Sequence, residues 1–195
     1  MRIPFEIHIT LAQLALARTN AFIACCNDHN AKPMLIELAQ GAYQHQPMLS
    51  KVVEETSLHK ALAYANDLAI TLQRQAFVAT RIKIEIPASD AAAYIQAGGQ
   101  GLYYEWHGKV QYHTAESLLA LCAQHKVHLS LNALRNQTAV RFVTLRESGS
   151  YAVFEKRLQL LTAALTTNGW PVLKQQAEYC IYDNNIQLDN GWLPE

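Results

Sequence analysis

The sequence predicts an α+β fold: a tandem duplication of a β-α-β-α-β unit, with antiparallel sheets, helices outside and a central polar cleft. Three observations predict it. Phe5-Glu6-Ile7-His8 and Tyr104-Glu105-Trp106-His107 repeat one pattern (aromatic, glutamate, bulky apolar, histidine) at an offset of 99 residues. Expected strands and helices alternate in a similar order in both halves of the chain. Most expected strands carry polar residues on one face and apolar residues on the other, as the period-two geometry of a half-buried sheet requires. The expectation is a single bilobal domain, with one lobe over about 1–97 and the other over about 98–195.

Each element has its own signal. Residues 3–11 alternate as a strand, and 14–30 carry apolar residues at helical spacing, ending in the polar Asn27-Asp28-His29-Asn30. A uniformly apolar strand spans 33–38. Residues 41–57 hold Gln46-Pro47-Met48 among turn-forming residues and read as a long loop, a lid or a mobile excursion. Ser57 caps a helix over 58–75. The strand 77–86 ends in the strictly alternating Arg81-Ile-Lys-Ile-Glu-Ile86, and a short Ala-rich helix leads to a seam at Gly98-Gly99-Gln100-Gly101. The second half reads as a strand over 102–111, a helix capped by Thr114 and running to about His125, and a strand over 127–134. A turn at Asn136-Gln137 follows, then a strand over 139–147, a helix over 151–168 closed by Gly169, a strand over 171–183 and a polar tail.

Composition narrows the function. Half the residues are hydrophobic and 16% are charged, as in an ordinary globular protein. A formal net charge of zero argues against a grip on extended nucleic acid, which needs many phosphate contacts. No apolar run follows a basic start, because Glu6 and His8 interrupt it, and none approaches the length of a membrane span. The expected location is the cytoplasm, with no membrane partner. Cys25, Cys26, Cys122 and Cys180 lack metal-binding spacing and read as buried free thiols.

Counting by twos collects one polar face: Glu6, His8 and Thr10; Arg81, Lys83 and Glu85; Glu105, His107 and Lys109; His128, Ser130 and Asn132; Thr144 and Arg146. Three of the eight histidines sit on it. Imidazole exchanges protons near neutrality, so His8, His107 and His128 are the candidate acid/base residues. Thr10, Lys83, Lys109, Ser130, Asn132, Thr144 and Arg146 are the candidate substrate contacts. The same face offers a metal alternative, His8, His107 and His128 with Glu105 or Glu6, although no cofactor is required.

His8-Ile9-Thr10 and His128-Leu129-Ser130 fit the histidine-x-Thr/Ser strand motif of the 2H phosphoesterases, the LigT-like proteins. The chain as a whole resembles a bacterial family assigned to the LigT-like fold, through Phe5-Glu-Ile-His8, Lys32-Pro-Met-Leu-Ile-Glu-Leu38, Gln46-Pro-Met48, Arg81-Ile-Lys-Ile-Glu85, His128-Leu-Ser130, Arg141-Phe-Val-Thr144 and Tyr182-Asp183. The resemblance implies a phosphate-containing small molecule or nucleotide as ligand, and a cyclic phosphodiesterase (hydrolase) reaction. One histidine would act as base and another as acid on a 2′,3′-cyclic phosphate or 2′–5′ phosphodiester, while Thr10 and Ser130 hold the phosphate. The sequence departs from the pattern at one point: His128 falls on the second strand of its half, but His8 falls on a first strand. A binding protein that uses Arg81, Lys83, Lys109 and Arg146 without proton transfer is the non-catalytic alternative.

Overall fold

The computed structural model describes residues 2–112, 115–134 and 139–192; the expected Thr114 cap and Asn136-Gln137 turn lie outside the described residues. Among the described residues there are eight strands: β1 (Ile3–Leu11), β2 (Lys32–Leu38), β3 (His45–Glu55), β4 (Ala79–Pro87), β5 (Tyr103–Gln111), β6 (His128–Asn132), β7 (Val140–Glu147) and β8 (Val172–Asp183). Five α-helices accompany them: α1 (Thr19–Asp28), α2 (Leu58–Arg74), α3 (Ala91–Gln96), α4 (Ala115–His125) and α5 (Tyr151–Thr167).

The strands close into one antiparallel barrel in the order β1-β3-β2-β6-β7-β5-β8-β4. This corrects the expected duplication of a β-α-β-α-β unit with open sheets and a cleft between two lobes. Within each half the strands run in corresponding orders, β4-β1-β3-β2 and β8-β5-β7-β6. The pairings β2 with β6 and β4 with β8 join the halves, so closure leaves no sheet edge.

The expected 41–57 loop holds β3, and its loss from the sequence reading explains the wrong topology. Pro47 and the turn-forming residues around it give this segment the composition of a loop. Met48 pairs with Thr10 in the last β1–β3 pair, while Pro47 sits one residue beyond it, opposite Leu35 of β2. The Leu35 amide turns away from β3 and donates to Asn132 Oδ1 at 3.2 Å, so Pro47 faces a pair that exchanges no ladder bond.

Outside the barrel, the apolar strand faces meet the helices. Phe5, Ile7 and Ile9 of β1, Ile82, Ile84 and Ile86 of β4, and Trp106 of β5 share one core with Ala61, Ala65, Leu68 and Leu72 of α2 and with Phe154, Leu161 and Leu165 of α5. α2 buries residues at three- and four-residue spacing and α5 at seven and four, one stripe each. Ser57 and Ser150 cap them by accepting hydrogen bonds from the Lys60 and Val153 amides. The four cysteines are buried and free, as expected.

Gly108 of β5 belongs to this outer layer. A Cβ there would overlap three carbons of the Trp106 ring, which is itself 1% exposed and donates from Nε1 to Gln175 Oε1 at 3.0 Å. Gly108→Ala is expected to cost about 1–3 kcal/mol through overpacking. A lowered thermal midpoint checks it; an unchanged midpoint would mean that the ring moves freely.

The expected polar tail folds instead across one end of the barrel. A 3-10 turn over Ile186–Asp189 carries Asp189 inward, and Gln46 Nε2 donates to the Leu188 carbonyl at 3.2 Å. The Ala42 amide donates to Asn190 O at 3.0 Å, and Gly41, at φ 111°, leaves room for Trp192, whose Cβ stands 3.1 Å from where a side chain on Gly41 would begin. Among the described residues no helix is long and apolar enough to cross a membrane.

Candidate functional site

Barrel closure turns the polar strand faces inward around a cavity of about 200 Å³. Of the residues expected at a site, His8, Thr10, Lys83, His107, Ser130, Asn132, Thr144 and Arg146 line it, together with Glu6, Arg81 and Glu105. His128 and Lys109 do not. His128 lies under Trp192, with ring centroids 5.2 Å apart, and borders a separate cavity of about 410 Å³ beside Leu119 and Cys122 of α4. Lys109 sits near the end of β5, opposite Phe142 and Lys174.

Three buried cations organise the charge. Arg81 donates to Asp183 (Nε to Oδ1, 2.9 Å) and to both Asp189 oxygens at 2.9 and 2.8 Å. Lys83 Nζ lies 2.9 Å from Glu85 Oε2 and donates to Glu105 Oε2 at 2.7 Å. Arg146 donates to Glu105 Oε1 through two nitrogens, at 3.0 and 2.9 Å, and to Asp189 Oδ2 at 2.7 Å. Burial favours the neutral forms of these cations, but the facing carboxylates outweigh it and hold all three firmly charged. The same contacts overcome burial to keep Glu85, Glu105 and Asp183 below the ordinary carboxylate range.

The two histidines of the lumen stand in similar settings. His8 Nε2 is 3.1 Å from Glu85 Oε2 and 3.7 Å from Glu6 Oε1. His107 Nε2 is 3.4 Å from Glu105 Oε2 and 3.8 Å from Glu178 Oε2, and its Nδ1 is 2.9 Å from Thr144 Oγ1. Glu6 and Glu178 behave oppositely. Burial alone would raise Glu6, but His8 and the hydrogen bond from Ser50 Oγ (2.6 Å) help to pull it down to about 2. Glu178 is pushed up to about 10, by burial first and then by the charges of Glu85 and Glu6. Gln176 Nε2 links the two carboxyl groups, donating to Glu6 Oε2 at 3.0 Å and to Glu178 Oε1 at 2.8 Å.

Glu6, His8 and Glu178 form the group of potential metal ligands among the described residues, each with one ligand atom within 4.8 Å of the others. This differs from the expected set of His8, His107, His128 and Glu105. Beside it, Glu85 is wholly buried with Oε1 unpartnered, Thr10 Oγ1 is buried without a partner, and neither His8 ring nitrogen makes an aligned hydrogen bond.

Glu178, Gln176, Asp183 and Asp189 join the site without being among the residues expected there. Gln176 and Glu178 alternate with Ala177 and Tyr179 along β8, so the period-two count that found the other strands reaches them too. Asp189 gave no such signal, because only the fold of the tail brings it inside. No protein-family model matches the chain, and no curated protein matches it.

Proposed function

We propose that the barrel lumen binds a first-row divalent metal ion through Glu6, His8 and Glu178. The convergence of these three ligand atoms inside a lumen whose buried cations are already paired is the observation that carries the reading. A tetrahedral ion with bonds of about 2.1 Å separates its ligand atoms by roughly 3.4 Å. The His8–Glu6 spacing of 3.7 Å needs little closure to match it. One imidazole with two carboxylates suits zinc, manganese or ferrous iron, with the ion taking the place of the proton that burial leaves on Glu178. Three protein ligands leave a coordination position for a molecule in the lumen, the arrangement that lets a metal polarise a substrate or activate water. An anion held by Arg81, Lys83 or Arg146 would have to draw that side chain away from a buried carboxylate, and breaking such a pair costs about 3–5 kcal/mol.

The expected result of titrating metal-stripped protein with Zn²⁺ or Mn²⁺ by calorimetry is one ion per chain. His8→Ala and Glu178→Gln each weaken binding by at least about 10-fold, the loss of one good ligand contact. Metal at 100 times its dissociation constant adds about 2.7 kcal/mol of stability in wild type and much less in either variant. No uptake, together with turnover of 2′,3′-cyclic nucleotides, would overturn the metal reading and favour phosphodiesterase chemistry by the two lumen histidines, His8 and His107.

A further inference from the structure

Resting on that metal reading, we propose that the lumen receives a small amphipathic molecule whose chelating head completes the ion's coordination and whose apolar part lies against β2 and β3. The cavity has two unlike walls. Inward positions of β1, β4, β5 and β8 carry Glu6, His8, Arg81, Lys83, Glu105 and Glu178. Opposite them, β2 offers Met34, Ile36 and Leu38, β3 offers Met48, and β7 offers Phe142, an apolar stretch bordered by the polar Lys32, Gln46, Ser130 and Thr144.

The apolar wall is what a metal site alone leaves unexplained. These side chains point into the barrel, away from the helix-covered core, and they border the free space. Water against these side chains finds no hydrogen-bond partner on them, so displacing it with hydrocarbon is favourable while the head keeps the charged side satisfied. A mostly apolar recess with a few convergent polar groups is the usual character of a small-molecule site. At about 200 Å³ the space is smaller than the roughly 300–1,000 Å³ of drug-sized pockets, which restricts the ligand to a compact metabolite.

The route in is set by exposure. Lys32 and Gln176 are exposed liners, and Glu6 and His107 near them have side chains 23% and 31% exposed. The far end is closed by Asp189 and Trp192, which are 4% and 7% exposed. A ligand passing Glu6 and Gln176 meets the metal ligands first, and its apolar end then runs along Met48, Met34 and Ile36.

The test uses straight-chain hydroxamic acids from aceto- to hexanohydroxamic acid, which chelate divalent ions through two oxygens, titrated calorimetrically into metal-loaded protein. Affinity is expected to rise about fourfold per added methylene until the wall is covered. Ile36→Asn and, as a second variant should that one fold poorly, Met48→Gln flatten the series and leave metal affinity unchanged, because neither residue is a ligand. A flat series in metal-loaded wild type, or an undiminished slope in a folded variant, overturns this inference and leaves the metal reading standing. A protein that takes up no metal removes both.

Discussion

Glu105→Ala lowers the stability of the protein by about 3–5 kcal/mol, the cost of removing one partner from a buried ion pair. Glu105 is 1% exposed and is the shared acceptor of the lumen: Lys83 donates to one oxygen at 2.7 Å and Arg146 to the other at 3.0 and 2.9 Å. Without it, Lys83 keeps Glu85 and Arg146 keeps Asp189, but each loses an interaction that had offset its desolvation. Glu105→Gln preserves shape and one acceptor oxygen, so its loss is smaller. Urea unfolding measures both, with the midpoint falling at a constant slope. A loss below about 1 kcal/mol for the alanine variant would put the pair in the class of weak, solvent-screened bridges and discredit the charge argument made for the lumen.

Acidification exposes the second large effect. Burial first, and the Arg146 charge next, push the His128 imidazole down from 6.5 to about 4 in the folded protein. The unfolded chain therefore binds more protons than the folded one between these values, and stability rises with pH through that window. The contribution is fully present above about pH 6.5, is lost as pH falls towards 4, and amounts to about 3 kcal/mol at about 1.4 kcal/mol per pKa unit. Glu6, Glu85, Glu105 and Asp183, all held below their ordinary values, add further losses in stronger acid. His128→Phe isolates the histidine: its stability relative to wild type should improve by about 3 kcal/mol between pH 7 and pH 4. A constant difference across that range would mean that His128 protonates in place without cost.

Much of the site was legible because strands expose their faces by simple counting. Glu6-x-His8-x-Thr10, Arg81-x-Lys83-x-Glu85 and Glu105-x-His107 all read correctly as one polar side, since a two-residue period survives any topology. The same counting could not say whether that side faced a cleft or a closed lumen, because closure depends on which strands pair. There the reading failed at β3, where Pro47 and nearby turn-forming residues hid a strand of 11 residues. His128 shows the opposite limit. Its place on the polar face of β6 is right, yet Trp192, distant in sequence, covers it. Glu178, now central to the metal reading, was visible in the alternation of β8, but a neighbouring glutamine and cysteine made that face look unremarkable beside the histidine strands.

The two seams between the halves also govern how the molecule must come into being. While only the first half of the chain has been synthesised, β2 and β4 offer open hydrogen-bonding rows, because their partners β6 and β8 lie far downstream. Pairing β4 with β8 brings together segments about a hundred residues apart, the kind of long-range contact that makes folding slow. A nascent or truncated chain thus presents two adhesive rims to its neighbours, and the finished protein hides both by joining them to itself.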